Sequence, residues 1–138
     1  MNEALGTAPF DVFRRFWESQ WYILGSAVSE FETKYADWND VQHCIGVANG
    51  LDALHLALRA LQIGPGDEVI VPSNTYIATW LAVSQVGATV VPVEPDLHTY
   101  NLDPARLEAA ITPATKAILP VHLYGQACDM TAIMAVAD

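Results

Sequence analysis

Two stretches of the chain carry residue types that could handle a phosphorylated, planar ligand. The first is Asn49-Gly50-Leu51-Asp52, which follows the apolar run Cys44–Ala48 and opens an amphipathic segment ending near Gln62. The first turn of a helix has backbone N–H groups with no partner inside the helix, and it carries about half a positive charge. A phosphate fits there, and Gly50 lets it approach without meeting a Cβ. The same four residues also read as a plain turn with Asp52 as a dipole-friendly acid, and spacing alone favours neither. The second stretch is Pro72-Ser-Asn-Thr-Tyr76, a polar patch after the apolar run Val69–Val71. Tyr76 could lay its ring on a planar heterocycle. An ordinary strand-to-helix loop, with Asn74 or Thr75 as the cap, is the simpler reading of the spacing.

A third polar group, His122, Tyr124 and Gln126, follows the run Ile118–Val121. His122 could move a proton, or bond to a ligand or a neighbouring chain, though one His at a strand end is more often structural. His55 falls inside a helical pattern, and His43 and His98 fall in loops. No His, Cys and Asp residues have metal-ligand spacing, so no metal site is expected. Cys44 and Cys128 lack a CxxC spacing and read as buried thiols of a reduced, cytoplasmic protein.

These residues need a scaffold that gathers them. β-rich apolar runs fall at about 43–48, 68–71, 89–93 and 117–122, and helical patterns at about 51–62, 76–86, 104–111 and 129–137. The runs are continuous rather than alternating, which predicts a mainly parallel sheet with helices on both faces, an α/β fold. Asp103-Pro104 is a cap followed by proline at the first helical position. In such a sheet ligands collect beyond the carboxyl ends of the strands, where segments 49–52, 72–76, 94–96 and 122–126 would meet. No GxGxxG follows any strand, which disfavours a Rossmann dinucleotide site.

Ahead of this alternation lies an aromatic segment, residues 1–25, with Phe10, Phe13, Phe16, Trp17, Trp21 and Tyr22. A helix is expected from about Pro9 to Ser19, and a second from Ser26, as its cap, to about Asp37. This aromatic surface either packs on its own domain or meets a second subunit. The 138 residues amount to one domain or part of one, 52% of them hydrophobic and 16% charged, so disorder is not expected. A net charge of −10, with four Arg and two Lys, argues against nucleic acid and anionic membranes as partners. No run reaches a membrane span of about 20 residues, and no leader pattern opens the chain.

Three segments together resemble the DegT/DnrJ/StrS-type nucleotide-sugar aminotransferases: Val47–Leu58, Gly64–Thr79 and Pro120–Gln126. Trp21-Tyr-Ile-Leu-Gly25 is similar to the entry motif of that family. The resemblance implies pyridoxal 5′-phosphate as cofactor and the N-terminal portion of the fold type I large domain, over residues 26–138 and incomplete at residue 138. By the same resemblance, the backbone of Gly50, Leu51 and Asp52 would hold the cofactor phosphate and Tyr76 would stack on the pyridine ring. Many members have a hydroxyl residue where this chain has Leu51, so the N–H groups would act here without a side-chain donor. Tyr22, Asn74, His122 and Tyr124 become candidate substrate contacts. The implied substrate is a keto-deoxyhexose on a nucleotide, such as a dTDP-3-keto-6-deoxyhexose, with an amino acid such as glutamate as donor. The implied assembly is a homodimer.

The family's catalytic Lys, which forms a Schiff base with the cofactor, and its Asp and Gln around the pyridine would fall beyond Asp138. Lys34 and Lys116 match neither position, so the chain is expected to be a fragment that does not transaminate alone. A dehydratase branch of the family and a non-catalytic module that binds nucleotide sugars or dimerises remain as alternatives.

Overall fold

A computed structural model describes residues 6–138, which divide into two compact units, one ending at Gly46 and one running from Val47 to Asp138. The first unit holds α1 (Ala8–Ser19) and α2 (Ser26–Trp38). Pro9 sits in the first turn of α1, where its missing N–H costs nothing. Aromatic contacts cluster around the end of this helix: Phe16 and Trp17 lie 5.2 and 5.7 Å, centroid to centroid, from Tyr22. Along α2, Phe31 stacks on Tyr35 at 5.4 Å and Tyr35 meets Trp38 at a tilt, 5.9 Å centroid to centroid. The cap of α2 is the extended Gly25, with Ser26 already inside the helix, one residue earlier than the sequence suggests.

The run 43–48 does not form the expected strand. No sheet partner reaches it among the described residues, and Ile45 lies exposed. What fixes it is a single bond from the Gly46 N–H to Glu32 Oε1 of α2, at 2.7 Å. β-propensity without a neighbouring strand leaves irregular backbone.

The second unit is α/β. Its elements run α3 (Gly50–Ala60), β1 (Glu68–Pro72), α4 (Ile77–Gln85), β2 (Thr89–Val93), a 3₁₀ turn (Pro104–Arg106) running into α5 (Leu107–Ala110), β3 (Thr115–Ile118) and α6 (Met130–Ala137). The sheet is wholly parallel with order β2-β1-β3, Ile70 facing Val91 on one side and Ile118 on the other. β1 is central, and Val69 to Pro72 are fully buried. Alternation along it fills two cores. Val69 and Val71 pack with Leu58 of α3, Ala82 and Val83 of α4, and Val86 just past its end. Ile70 packs with Val93, Leu102, Leu107 of α5, Cys128 and Ile133 of α6. Helices therefore cover both faces, and each buried Val or Ile contributes about 1.5–3 kcal/mol.

Pro92 is tolerated because β2 is an edge strand. β3 stops earlier than the expected 122. The Leu119 N–H still reaches Ile70 O at 2.8 Å, but Pro120 has no N–H to continue the ladder. Asp103 caps the 3₁₀ turn, its Oδ1 accepting from the Ala105 N–H at 3.0 Å, and Asp129 caps α6 in the same way. Among the described residues no helix is long and apolar enough to cross a membrane.

Candidate functional site

Asn49 decides how α3 begins. Its backbone is extended (φ −163°, ψ 173°), which ends the preceding chain and starts the helix. Its Oδ1 accepts from the Asp52 N–H at 2.9 Å, and its Nδ2 donates to Asp52 Oδ2 at 3.0 Å. The Ala53 N–H donates to Asn49 O at 3.1 Å. The Ala53 bond is the first of the helix itself, and of the donors ahead of it the Asp52 N–H is satisfied by the cap side chain. Among the described residues the N–H groups of Gly50 and Leu51 have no partner. A Cβ added at Gly50 would meet nothing within 4 Å, so open space lies against this helix start.

That space belongs to a cleft of about 720 Å³, within the size range of small-molecule sites. Asn49 to Leu51, Ala53 and Leu54 form one wall, Thr75 to Thr79 and Leu81 another, and Val121 a third. None of the lining residues is charged. The cleft wall itself therefore sets no carboxylate against an anion at the α3 N-terminus, and the nearby Asp52 carboxylate is engaged by Asn49 Nδ2. Tyr76 occupies the N-cap position of α4 and is 76% exposed, free to cover a planar group. Trp80 of α4 donates from Nε1 to Pro72 O at 3.2 Å and ties the helix to the end of β1. A hydroxyl–hydroxyl bond of 2.9 Å links Thr75 to Thr79. The donors, the open cradle and the ring form a set that fits a phosphorylated aromatic cofactor.

The remaining expected residues fall elsewhere. Asp52 does not line the cleft, because its carboxylate turns back to Asn49 and its N–H is already used. Asn74 does not cap α4, and neither does Thr75. Asn74 instead donates from Nδ2 to Tyr100 O at 3.0 Å. His122 Nδ1 accepts from the Cys128 N–H at 3.1 Å, which leaves Nε2 as the proton-bearing nitrogen. Tyr124 is 86% exposed with left-handed backbone (φ 57°). Tyr22 lies in the first unit, where its hydroxyl donates to Trp17 O at 2.9 Å. In the 94–96 loop, Asp96 Oδ1 accepts from the N–H groups of Thr99 and His98 at 2.9 and 3.0 Å. Those bonds hold its carboxyl below the ordinary value of 3.8.

Two residues that organise this end of the sheet gave no signal in the sequence. Trp80 reads as one more apolar position of a helix. Asn101 reads as a loop residue, yet it is 2% exposed and bonds to three backbone groups. Among the described residues no group of three or more His, Cys, Asp and Glu is placed to hold a metal ion.

Comparison with known proteins supplies the frame for this geometry. Residues 5–138 match the model of the DegT/DnrJ/EryC1/StrS aminotransferase family. The dTDP-3-amino-3,6-dideoxy-alpha-D-galactopyranose transaminase of Aneurinibacillus thermoaerophilus is 62% identical over 123 residues, 89% of this chain and 34% of that protein. The GDP-perosamine synthase of Caulobacter vibrioides is 60% identical over 114 residues, 83% of this chain and 31% of that one. Among solved structures, S. venezuelae DesV in complex with a ketimine intermediate superposes with a TM-score of 0.92 at 53% identity, over 99% of this chain and 37% of that chain. The Bacillus subtilis protein NtdA with bound cofactor PMP superposes at 0.89 with 36% identity, over 93% of this chain and 29% of that one. The chain spans about a third of the length of the curated relatives it matches. The motifs at 47–58, 64–79 and 120–126 and the parallel sheet that carries them thus have one common source: the chain belongs to the DegT/DnrJ/EryC1/StrS aminotransferase family.

Proposed function

We propose that this chain forms the phosphate-binding and ring-covering part of a pyridoxal 5′-phosphate-dependent aminotransferase. The substrate on this reading is a keto-deoxyhexose carried on a nucleotide, with a dTDP-3-keto-6-deoxyhexose as the first candidate. The observation that carries it is the uncharged cleft in which the free N–H groups of Gly50 and Leu51 lie in one lining with Tyr76. When bound, pyridoxal phosphate supplies an electron sink for transfer of an amino group. The chain's own residues bind and orient it. The two N–H groups take the phosphate at the positive end of α3, Tyr76 covers a ring face, and Leu54 and Val121 keep water from the apolar side.

Neither Lys34, paired with Glu30 on α2, nor Lys116 in β3 lines the cleft. The Schiff-base lysine is assigned to the part of the family's length that the chain does not cover. Glutamate as amino donor, a homodimer and a cytoplasmic setting complete the reading. It is supported by the transaminase names of the relatives and by the PMP bound to NtdA.

Titration with pyridoxal phosphate, followed by cofactor absorbance and tryptophan quenching, tests it. The chain is expected to bind the cofactor noncovalently. Tyr76→Ala should weaken binding by roughly tenfold, the worth of one aromatic stacking contact. Equal affinity of wild type and Tyr76→Ala would remove the ring-covering role, and no saturable binding would remove the cofactor assignment.

A further inference from the structure

Three loops leave the carboxyl ends of β1, β2 and β3, and they are tied together at Tyr100 and Asn101. From the first loop, Asn74 Nδ2 donates to Tyr100 O at 3.0 Å. Within the second, the Tyr100 N–H donates to Asp96 O at 2.8 Å and the Asp96 N–H to Asn101 O at 2.9 Å. Toward the third, Asn101 Nδ2 donates to Gln126 O at 3.0 Å and Ala127 O at 3.2 Å, and its Oδ1 accepts from the Leu123 N–H at 3.1 Å. The Asn101 side chain thus uses both its donor group and its acceptor, across more than 20 residues of sequence, while buried. The backbone it secures is not relaxed: Tyr100 and Tyr124 have φ of 59° and 57°, in the left-handed region that aromatic residues rarely adopt. At the start of the secured loop stands Val121, a wall of the cleft.

We propose that Asn101 is a positioning residue that locks the loop 121–127 against the loop 94–101 and so holds the Val121 wall of the cleft in place before a ligand enters. None of its hydrogen-bond partners lines the cleft. Its effect passes through Leu123, Gln126 and Ala127, and it lowers the ordering that binding would otherwise require. The ligand named in the test rests on the pyridoxal phosphate reading above, whereas the lock does not.

The test compares the wild-type chain with Asn101→Asp, which sets a carboxylate against two carbonyl oxygens, and Asn101→Ala, which only removes the bonds. Hydrogen exchange is read separately over 119–127, β1 and α4, and affinities are measured for pyridoxal phosphate and for inorganic phosphate. In both variants exchange over 119–127 should rise by about tenfold or more, the ratio expected for losing buried hydrogen bonds, with β1 and α4 still protected. Pyridoxal phosphate affinity should fall by about tenfold while inorganic phosphate, which needs only the start of α3, is held as before. Unchanged exchange over 119–127 would overturn the proposal. So would a rise spread evenly over β1 and α4, which would make Asn101 an ordinary core residue. A wild-type chain that binds no pyridoxal phosphate would overturn the ligand reading, and the exchange pattern would still decide the lock.

Discussion

At the scale of single residues, the site depends on what Gly50 lacks and on what Asn49 occupies. Gly50 begins α3 in ordinary helical backbone, and a Cβ there meets only open space. Gly50→Ala should therefore stabilise the helix by about 0.5–1 kcal/mol, because alanine loses less backbone entropy. On the proposed reading, the same methyl group would stand where the phosphate approaches two N–H groups. Cofactor affinity should drop as the unfolding midpoint rises, which thermal denaturation and pyridoxal phosphate titration of one sample would read together. Parallel changes in both would remove Gly50 from the cradle. The sequence made this helix start legible, since Asn-Gly and an acid three residues beyond Asn49 mark a cap. It did not reveal that the acid bonds back to its own cap. Among the described residues the Gly50 and Leu51 N–H groups have no partner, whereas the Asp52 N–H and carboxylate both bond to Asn49.

At the scale of elements, periodicity and cap signals located the α-helices of the described residues, and they located strands only where partners exist. β1 lies between β2 and β3, so its apolar run becomes a buried central strand. The run 43–48 has similar composition but no partner among the described residues, and pairing is a long-range property that a window of residues does not contain. The loops were the least legible part, because their order comes from side chains bonding to distant backbone. The 94–101 loop illustrates this. Asp96 organises it by accepting from the N–H groups of His98 and Thr99, and these bonds depress its folded-state pKa. The sign follows directly. A depressed carboxyl contributes stability that is fully present above its unfolded value, near 3.8, and is lost as pH falls through the lower folded value. Asp96→Asn should lose this acid-labile part, so its stability difference from wild type is largest at neutral pH and shrinks below about pH 4. Denaturant unfolding at several pH values measures it, and a difference independent of pH would mean that the carboxylate charge plays no part.

At the scale of the whole chain, apolar surface decides behaviour in solution. Phe10, Phe13, Trp17, Trp21 and Trp38 are all exposed in the first unit, although aromatic contacts run through it. In the second unit β2 and β3 are both edge strands, and a cleft along β3 is lined by Lys116, Ile118 and Val136. Monomeric proteins rarely leave so much large apolar side-chain area in water, and open strand edges invite pairing with another chain. Net charge opposes association: −10 on 138 residues produces mutual repulsion that salt screens beyond about 8–10 Å at physiological strength. Apolar attraction acts at contact and does not weaken with salt, so the balance should tip as ionic strength rises. Sedimentation velocity across a concentration series should show a mass above 15.0 kDa that grows with protein concentration and more steeply in higher salt. Trp17→Ser with Trp38→Ser should reduce that growth if the aromatic unit drives it, and leave it unchanged if the strand edges do. A chain that stays at monomer mass in both salts would show that these faces are tolerated in water as they stand.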